Sequence, residues 1–273
     1  MGRDILDTFL NAPAEAPLLV AGPCVLETQE IALEVASRLK AAAEQNGFLY
    51  LFKASFDKAN RTSISSYRGP GPEKGLEMLL EVKEQVGVPV ISDIHEAGQA
   101  SVAARVLDCI QIPAFLCRQT DLLMAAGETG LPVNIKKGQH MAPWDMRHAV
   151  EKVKATGNGR VMLTERGNAF GYNNLVVDMR SIAIMRESAP VIFDATHSVQ
   201  LPGGGDGCSS GQREYVPLLA RAAFAAGADG LFMEVHPDPD KALCDGPNSL
   251  RLQDAGMLLE TLAGIRKVVR GRG

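Results

Sequence analysis

Short runs of Val, Ile and Leu alternate along the chain with longer segments in which apolar residues recur at helical spacing. Eight of the short runs have the length and composition of buried strands. These runs are PLLVAGP, FLYLFKA, VPVISDI, CIQIPAF, PVNIKK, RVMLTERG, PVIFDATH and GLFMEVHP. Most of them are continuously apolar, which is typical of parallel strands covered on both faces.

The segments between these strands predict helices. Apolar residues on one face and a glycine near the end are found in EIALEVASRLKAAAEQNG, GLEMLLEVKEQVG, MRHAVEKVKATGN and VPLLARAAFAAGADG. Eight alternating strand and helix units predict a closed parallel barrel of the α/β class, the (β/α)8 or TIM barrel. We expect a single domain over residues 1–273, with residues 1–16 as a short N-terminal extension.

Polar residues cluster late in each predicted strand. In a (β/α)8 barrel the carboxyl ends of the strands meet at one mouth, where active sites lie. We therefore expect one polar site, formed by residues at or just past the strand ends: Lys53, Ser55, Asp93, His95, Gln111, Lys136, Lys137, Glu165, Arg166, Asp194, His197, Glu234 and His236.

Composition narrows the possible functions. Hydrophobic residues are 46% and charged residues 22% of the 273 positions, which excludes a disordered or fibrous protein. The net charge of −4 argues against a nucleic-acid partner, since such a partner requires a concentrated basic surface. No run approaches the ~20 apolar residues of a membrane span, and the N-terminus lacks a secretory core, so we expect a cytoplasmic protein without a membrane partner. Five scattered cysteines then favour free thiols over disulfides.

The segment FKASFDKANRTSISSYRGPG, residues 52–71, concentrates cations and hydroxyl groups after a predicted strand. A solvated surface loop is the plain alternative, but Lys53 lies inside the strand pattern, where an unpaired ammonium is costly. A buried cation without a partner would be equally costly at later strand ends, where the chain has Lys136, Lys137 and Arg166. Because cations at one mouth repel one another, the pattern predicts a small polyanionic substrate such as a phosphorylated sugar.

Several residues near the mouth have side chains that bind metals. A thiolate, an imidazole and one or two carboxylates suit Zn²⁺ or Fe²⁺. Spacing alone does not choose among the candidates Cys24, His95, His197, Glu234, His236 and Asp245. Cys109 and Cys117 are expected to be packing residues or ordinary loop thiols, and Cys244 a packing residue rather than a ligand. His140 and His148 are expected to be surface or capping groups.

Two segments are predicted to be mobile: LPGGGDGCSSG, residues 201–211, and HPDPDKALCDGPNS, residues 236–249. The glycines of the first segment lower the cost of changing shape. We expect residues 201–211 to act as a lid that excludes water once substrates bind.

Long motifs from about residue 17 to the last predicted helix resemble those of the 3-deoxy-D-manno-octulosonate 8-phosphate synthase family. The motifs are FKASFDKANRTSISSYRGPG, PVISDIHE, IQIPAFLCRQTDLL, VNIKKGQ, LTERGNAFGYNNLVVDMR, VIFDATHSVQ and EVHPDPDKALCDGPNSL. The resemblance implies a homotetrameric (β/α)8 barrel that condenses phosphoenolpyruvate with D-arabinose 5-phosphate and water and releases phosphate. The product is the precursor of the Kdo sugar of lipopolysaccharide.

The resemblance also implies roles for individual residues. Those implied to bind phosphoenolpyruvate are Lys53, Ser55, Gln111, Ala114, Lys136 and Arg166. Those implied to bind D-arabinose 5-phosphate are Lys58, Asn60, Arg61, Thr62 and Asp93, with Arg118 and Gln119 reaching the site of a neighbouring subunit. The residues implied to act in catalysis are Lys53, as a fixed charge, with His197, Asp245 and Cys24.

The residue after Gly22 and Pro23 divides this family into two classes. Members with asparagine there work without metal, whereas members with cysteine bind a divalent ion through it. Cys24 therefore implies a metal user, with His197, Glu234 and Asp245 as the other ligands. The run CDGP, residues 244–247, instead resembles the loop of metal-independent members. We give Cys24 more weight than CDGP because the thiolate is the ligand that differs between the two classes. Fe²⁺, Zn²⁺ and Mn²⁺ all suit the resulting ligand set.

Three alternatives stay open. The related synthase that joins phosphoenolpyruvate to erythrose 4-phosphate uses the same ligand types, but it has a Pro-Arg-containing run where this chain has KANRTS. An aldolase that forms a Schiff base would need one desolvated lysine with a depressed pKa. A non-catalytic sugar-phosphate sensor would keep the cationic mouth without requiring the four metal ligands together.

Overall fold

The computed structural model describes residues 2–61, 63–203 and 210–271. Within these residues, the central barrel has eight parallel strands, which we number β1 to β8. Their bounds are Leu18–Gly22, Leu49–Lys53, Val90–Asp93, Cys109–Ile112, Val133–Lys136, Val161–Glu165, Val191–Asp194 and Gly230–His236. Each strand lies in one of the eight predicted apolar runs.

The sheet closes on itself. Each strand pairs in parallel with the next one along the chain. In addition, β1 pairs with β8, with Leu18 opposite Gly230 and Gly22 opposite Glu234. The first and last strands therefore complete a barrel, which confirms the predicted (β/α)8 fold.

Helices alternate with the strands and cover the outside of the barrel. In the described chain they run from α1 to α9, with bounds Gly2–Asn11, Gln29–Gln45, Pro72–Val86, Gln99–Ala103, Thr120–Glu128, Met146–Lys154, Arg180–Arg186, Val216–Ala225 and Ala255–Arg270. Helix α2 begins after Thr28, whose hydroxyl oxygen accepts a hydrogen bond from the Ile31 amide. None of the described helices combines the length and apolar character that a membrane crossing requires.

Apolar side chains form two cores on opposite sides of the sheet. Successive residues of a strand point to opposite faces. Leu19 and Ala21 of β1 therefore pack toward the helices, whereas Leu18 and Val20 point into the barrel. The rest of the inner core consists of Leu6, Phe9, Leu51, Ile91, Cys109, Met162, Ile192 and Phe232.

The N-terminal extension is helical and packs against the barrel. Leu6 and Phe9 of α1 are fully buried and join the inner core with Leu18. Asp7 of the same helix accepts a 2.5 Å hydrogen bond from Arg160, just before β6. Because Leu18 begins β1, helix α1 covers the amino-terminal end of the barrel and leaves the carboxyl end open.

Very short strands extend the structure beyond the barrel. They form two antiparallel pairs and one parallel extension of β8. Their bounds are Asn168–Ala169 with Leu175–Val176, Gln200–Leu201 with Ser210–Gly211, and Leu250–Arg251. The predicted lid, residues 201–211, falls largely outside the described residues, which omit 204–209.

Candidate active site

A cavity of about 410 Å³ opens at the carboxyl end of the barrel. Its size is in the range of binding sites for small ligands. Most of the predicted site residues line it: Lys53, Ser55, Lys58, Asn60, Arg61, Asp93, Gln111, Ala114, Lys136, Arg166, His197, Glu234 and Asp245.

Lys53 is the last residue of β2 and is almost fully buried. Its ammonium donates to the Ser55 hydroxyl at 2.9 Å and to Glu234 Oε1 at 3.3 Å. Ser55 in turn donates to Asp93 Oδ1 at 2.5 Å. Because a buried ammonium is tolerated only when it is paired, this network fixes a positive charge at the cavity wall.

Lys136 ends β5 and supplies a second buried cation. Its ammonium donates to Asp194 Oδ2 at 2.6 Å and lies 3.6 Å from the centre of the Phe232 ring. Burial lowers the pKa of Lys136, and the negative charge of Asp194 opposes this shift. The ion pair and the cation–π contact together fix the direction of the side chain.

Arg166 follows β6, and part of its buried guanidinium is unpaired. Nη2 donates to Gln200 Oε1 at 2.9 Å. Nη1 is buried and has no hydrogen-bond partner among the described residues. Burial also lowers the pKa of Arg166. A buried donor without an acceptor is costly, so Arg166 is suited to bind an anionic group that enters the cavity.

Four predicted metal ligands converge beside these cations. His197 Nε2 lies 3.7 Å from both Glu234 Oε1 and Asp245 Oδ2. Cys24 Sγ lies 3.4 Å from Asp245 Oδ2. Cys24 follows β1, His197 follows β7, Glu234 lies within β8 and Asp245 lies in the loop after it. Barrel closure therefore brings these ligands together from distant parts of the chain.

Asp194, the last residue of β7, orients His197. Its Oδ2 lies 2.8 Å from His197 Nδ1, and its Oδ1 accepts from the His197 amide at 2.9 Å. With the proton on Nδ1, the lone pair of Nε2 faces Glu234 and Asp245. Burial raises the pKa of Asp194, but the charges of His197 and Lys136 outweigh burial and hold it below its ordinary value.

This group of side chains fits a divalent cation. Glu234 is fully buried, and its Oε2 has no hydrogen-bond partner in the described part of the chain. Ligand atoms of His197, Glu234 and Asp245 all lie within 4.8 Å of one another. An unpartnered buried carboxylate oxygen is costly, and sulfur, nitrogen and oxygen donors together suit zinc or iron.

Asp245 has a left-handed backbone, with a φ of 48°, and is the one non-glycine residue with positive φ among those described. Its carbonyl accepts hydrogen bonds from the Asn248 and Ser249 amides, both at 3.0 Å. Gln200 donates to its Oδ1 at 3.3 Å. A left-handed residue costs about 1 kcal/mol, so these contacts hold a strained turn beside the other ligands.

Lys137 does not face the cavity, which contradicts its prediction as a cation of the mouth. It is fully buried, lies 3.3 Å from Glu165 Oε1 and donates to Asn168 Oδ1 at 2.5 Å. Adjacent residues of an extended strand point in opposite directions. Only Lys136 of this pair therefore reaches the cavity. Lys137 instead binds the first residue of the short strand Asn168–Ala169.

The prediction that Cys244 is a packing residue is wrong. Cys244 is partly exposed and lines the cavity, and its sulfur lies within 4.8 Å of ligand atoms of Cys24 and Asp245. Cys109 and Cys117 are buried, as predicted.

His95 and His236 pair with carboxylates of their own. His95 lies 3.0 Å from Asp93 Oδ2, and His236 lies 3.6 Å from Glu27 Oε2. Neither histidine belongs to the groups of metal-ligating atoms found in the described residues.

Cys24 is buried and is not among the residues that line the cavity of the described chain, but its sulfur contacts Asp245, which does line it. Thr62 lies outside the described residues. Arg118 and Gln119 are exposed, and they are not among the residues that line the cavity of the described chain. Their role at a neighbouring subunit stays a prediction.

Gln200 is a site residue that the sequence analysis missed. It bonds both Arg166 and Asp245, and so connects the cationic part of the cavity with the candidate metal ligands. The one sequence signal for it is its place at the end of the motif VIFDATHSVQ.

Comparisons with known proteins show the family to which this chain is similar. Residues 10–270 match the DAHP synthetase I family. A protein named 2-dehydro-3-deoxyphosphooctonate aldolase from Desulfatibacillum aliphaticivorans is 62% identical over 260 residues, covering 94% of this chain and 95% of its own. Two proteins of the same name come from Desulfotalea psychrophila and Citrifermentans bemidjiense. They are 61% and 60% identical, and the matches cover 92% and 98% of this chain and 90% and 99% of theirs.

Proposed function

The chain belongs to the DAHP synthetase I family, and we propose that it is the member that condenses phosphoenolpyruvate with D-arabinose 5-phosphate and water. The products are 3-deoxy-D-manno-octulosonate 8-phosphate and phosphate, which makes the chain a transferase of Kdo and lipopolysaccharide biosynthesis. The relatives named 2-dehydro-3-deoxyphosphooctonate aldolase support this member over the related synthase that uses erythrose 4-phosphate.

One observation carries the proposal: buried cations and a set of metal-ligating side chains meet in a single cavity. Lys53 and Lys136 are held by carboxylates, and Arg166 keeps one buried nitrogen unpaired. Phosphoenolpyruvate carries a phosphate and a carboxylate, which require such fixed positive charges. The sugar aldehyde requires an electrophilic activator, which the neighbouring ligand set is suited to hold.

We assign phosphoenolpyruvate to the part of the cavity formed at the ends of β2, β4, β5 and β6. The cations Lys53, Lys136 and Arg166 would face its phosphate and carboxylate. The polar contacts would be completed by Ser55, Gln111 and the backbone at Ala114, all of which line the cavity.

We assign D-arabinose 5-phosphate to the loop after β2. Lys58, Asn60 and Arg61 of this loop line the cavity, as does Asp93. The sugar phosphate would pair with Arg61 and with Thr62, and Asp93 would bind hydroxyl groups. In a homotetramer, Arg118 and Gln119 would complete this site from a neighbouring subunit.

The metal ligands in this proposal are Cys24, His197, Glu234 and Asp245. A bound Fe²⁺, Zn²⁺ or Mn²⁺ would supply Lewis acidity toward the aldehyde oxygen and lower the pKa of a nearby water. Asp194 prepares the site by orienting His197 through the 2.8 Å contact at Nδ1.

The reaction forms one carbon–carbon bond and one carbon–oxygen bond, the latter from water, and breaks the carbon–oxygen bond to phosphate. C3 of phosphoenolpyruvate attacks the aldehyde carbon while water adds at C2, and the tetrahedral C2 then expels phosphate to leave a ketone. Lys53, Lys136 and Arg166 would stabilise the developing oxyanions as fixed charges. His197 and Asp245 would position the attacking water. No lysine acts as a nucleophile in this scheme.

Metal removal tests the proposal. We expect phosphate release from phosphoenolpyruvate and D-arabinose 5-phosphate to vanish after treatment with a strong chelator and to return with a single divalent metal. Activity that persists in protein shown to be metal-free would contradict the metal assignment. It would place the chain with the metal-independent members that the run CDGP resembles.

Further assays separate the alternatives. Erythrose 4-phosphate should support much slower phosphate release than D-arabinose 5-phosphate, and the reverse order would favour the related synthase. Borohydride should trap no covalent adduct, whereas a trapped lysine would favour an aldolase that forms a Schiff base. Binding of both substrates without phosphate release would favour a sensor.

A further inference from the structure

Cys244 has no role in the reaction proposed above, yet it occupies the position of a ligand. Its sulfur, the sulfur of Cys24 and a carboxylate oxygen of Asp245 all lie within 4.8 Å of one another. The group formed by His197, Glu234 and Asp245 meets the same limit. Asp245 therefore belongs to two groups of donors, one rich in sulfur and one made of nitrogen and oxygen.

The backbone holds both thiols in place. The Cys24 carbonyl accepts hydrogen bonds from Lys53 Nζ at 3.2 Å and from the Ser55 amide at 3.3 Å. Cys244 directly precedes the left-handed Asp245. Adjacent side chains of an extended segment point in opposite directions. The side chains of Cys244 and Asp245 instead reach the same group of donors. The turn at Asp245 is thus what brings the second thiol to the site.

Neighbouring cations balance the negative charge of such a site. Lys53 donates to Glu234, and Lys58 lines the same cavity as Glu234 and Cys244. Sulfur donors favour thiophilic ions, while carboxylates and carbonyl oxygens favour harder ions such as Mn²⁺. A second sulfur therefore changes which cation the site prefers.

We propose that Cys244 is a second sulfur ligand of the cation site, and that it makes the site select a thiophilic divalent ion of the zinc class over Mn²⁺. This inference rests on the proposed metal site and adds a fifth donor to it. Cys109 and Cys117 provide a contrast within the described chain, because both are buried and neither joins a group of ligand atoms.

X-ray absorption spectroscopy of the full chain loaded with one equivalent of Zn²⁺ counts the sulfur atoms bound to zinc. Every protein carries Cys208→Ser, so that a thiol outside the described residues adds no sulfur. We expect two sulfur ligands in this parent and in the matched control Cys117→Ser. We expect one sulfur ligand in Cys244→Ser and one in Cys24→Ser.

Two results would overturn the inference in distinguishable ways. One sulfur in the parent, unchanged by Cys244→Ser and lost in Cys24→Ser, would refute a role for Cys244 but leave the proposed ligand set intact. Failure of the parent to bind zinc would refute both proposals.

Competition with a chromophoric chelator tests the selectivity. We expect the Zn²⁺ dissociation constant to rise about tenfold or more in Cys244→Ser, with the Mn²⁺ constant changed less than about twofold. Equal changes for both ions would contradict the proposed preference. The sulfur count of the Cys208→Ser parent decides the main point even if a further variant folds poorly.

Discussion

Three buried cationic side chains of this site pair with carboxylates inside the protein. Lys53 pairs with Glu234, while Lys136 and His197 share Asp194. Pairing lowers the cost of burying these charges and fixes the direction in which each one points. The side chains are therefore arranged to stabilise new negative charge without first reorganising.

Replacing Lys136 by Met keeps the length of the side chain but removes its charge. We expect kcat/KM for phosphoenolpyruvate to fall about 100-fold or more, because one preorganised group that stabilises an oxyanion is lost. Steady-state phosphate release measures this change. Lys154→Met, at the exposed end of α6, is the control with unchanged kinetics. Equal kinetics of the two variants would remove Lys136 from the site.

Asp93 makes stability depend on pH. Burial raises the pKa of Asp93, but the hydrogen bond from His95 and the charge of Lys53 outweigh burial and hold it well below its ordinary value. A carboxyl of this kind stabilises the fold above its ordinary pKa of about 4, and the stabilisation is lost as pH falls toward the folded value.

We therefore expect the free energy of unfolding to decrease between about pH 5 and about pH 3, more steeply for the native chain than for Asp93→Asn. Urea unfolding at several pH values gives both slopes. Asp121→Asn, at an exposed position of α5, serves as the control and should follow the native chain. Equal slopes for the native chain and Asp93→Asn would contradict the prediction.

The sequence predicts most of the charged residues that line the cavity, because a cation inside an apolar run, such as Lys53, has few explanations other than a ligand. It does not separate Lys136 from Lys137, since the direction of each side chain depends on the strand. It also misses Gln200 and the cavity position of Cys244. Both depend on turns whose shape is set by contacts with residues far away in the chain.

Helix α3 packs so closely against the loop after β2 that one of its positions requires glycine. A Cβ added to Gly75 would lie 2.3 Å from Phe56 Cβ. Phe56 is fully buried and lies between Ser55 and Lys58, which line the cavity. The contact between helix and loop therefore helps to position substrate-binding residues.

Two glycine-to-alanine changes in helices should have opposite effects. Gly75→Ala should lower the free energy of unfolding by about 1–3 kcal/mol, because Phe56 must move. A Cβ added to Gly264 in α9 would have no atom within 4 Å beyond its chain neighbours and the backbone of its own helix. Gly264→Ala should therefore raise the free energy of unfolding by about 0.5–1 kcal/mol through higher helix propensity. Urea unfolding compares the two variants. Equal stability would contradict the close contact at Gly75.

Elements with long periodic patterns are the ones that the sequence predicts. Helix α2 buries Val35 and Leu39 on the expected face, and all eight barrel strands lie in predicted runs. The sequence does not predict α1 as a helix that covers the barrel, because Leu6 and Phe9 pack on an inner core built from distant strands. Two-residue strands such as Asn168–Ala169 carry too little pattern to be found.

At the scale of the whole molecule, one end of the barrel contributes to stability and the other carries the candidate active site. Helix α1 covers the amino-terminal end with Leu6 and Phe9, while the cavity opens at the carboxyl end. This division is general for the fold, in which loops at the carboxyl end carry the chemistry. Changes under α1 should therefore affect stability with little effect on catalysis.

Phe9→Ala tests this separation. We expect the free energy of unfolding to fall by about 3–5 kcal/mol, because a fully buried ring is lost from the inner core. The kcat of the folded protein should stay unchanged at temperatures where it remains folded. Met257→Ala, at a position that is 70% exposed, should change stability by less than about 0.5 kcal/mol. A large loss of kcat in folded Phe9→Ala would show that the two ends are coupled.

The pairing of β1 with β8 has a consequence for biosynthesis. Leu18 lies opposite Gly230, so a nascent chain cannot close its barrel until almost all of it has left the ribosome. Cys24 is made early, but it reaches Glu234 and Asp245 only after that closure. A cation bound to all three, as proposed above, would join the first and last strands and favour the closed state by mass action. The supply of metal in the cell would thus influence how much newly made protein reaches its folded state.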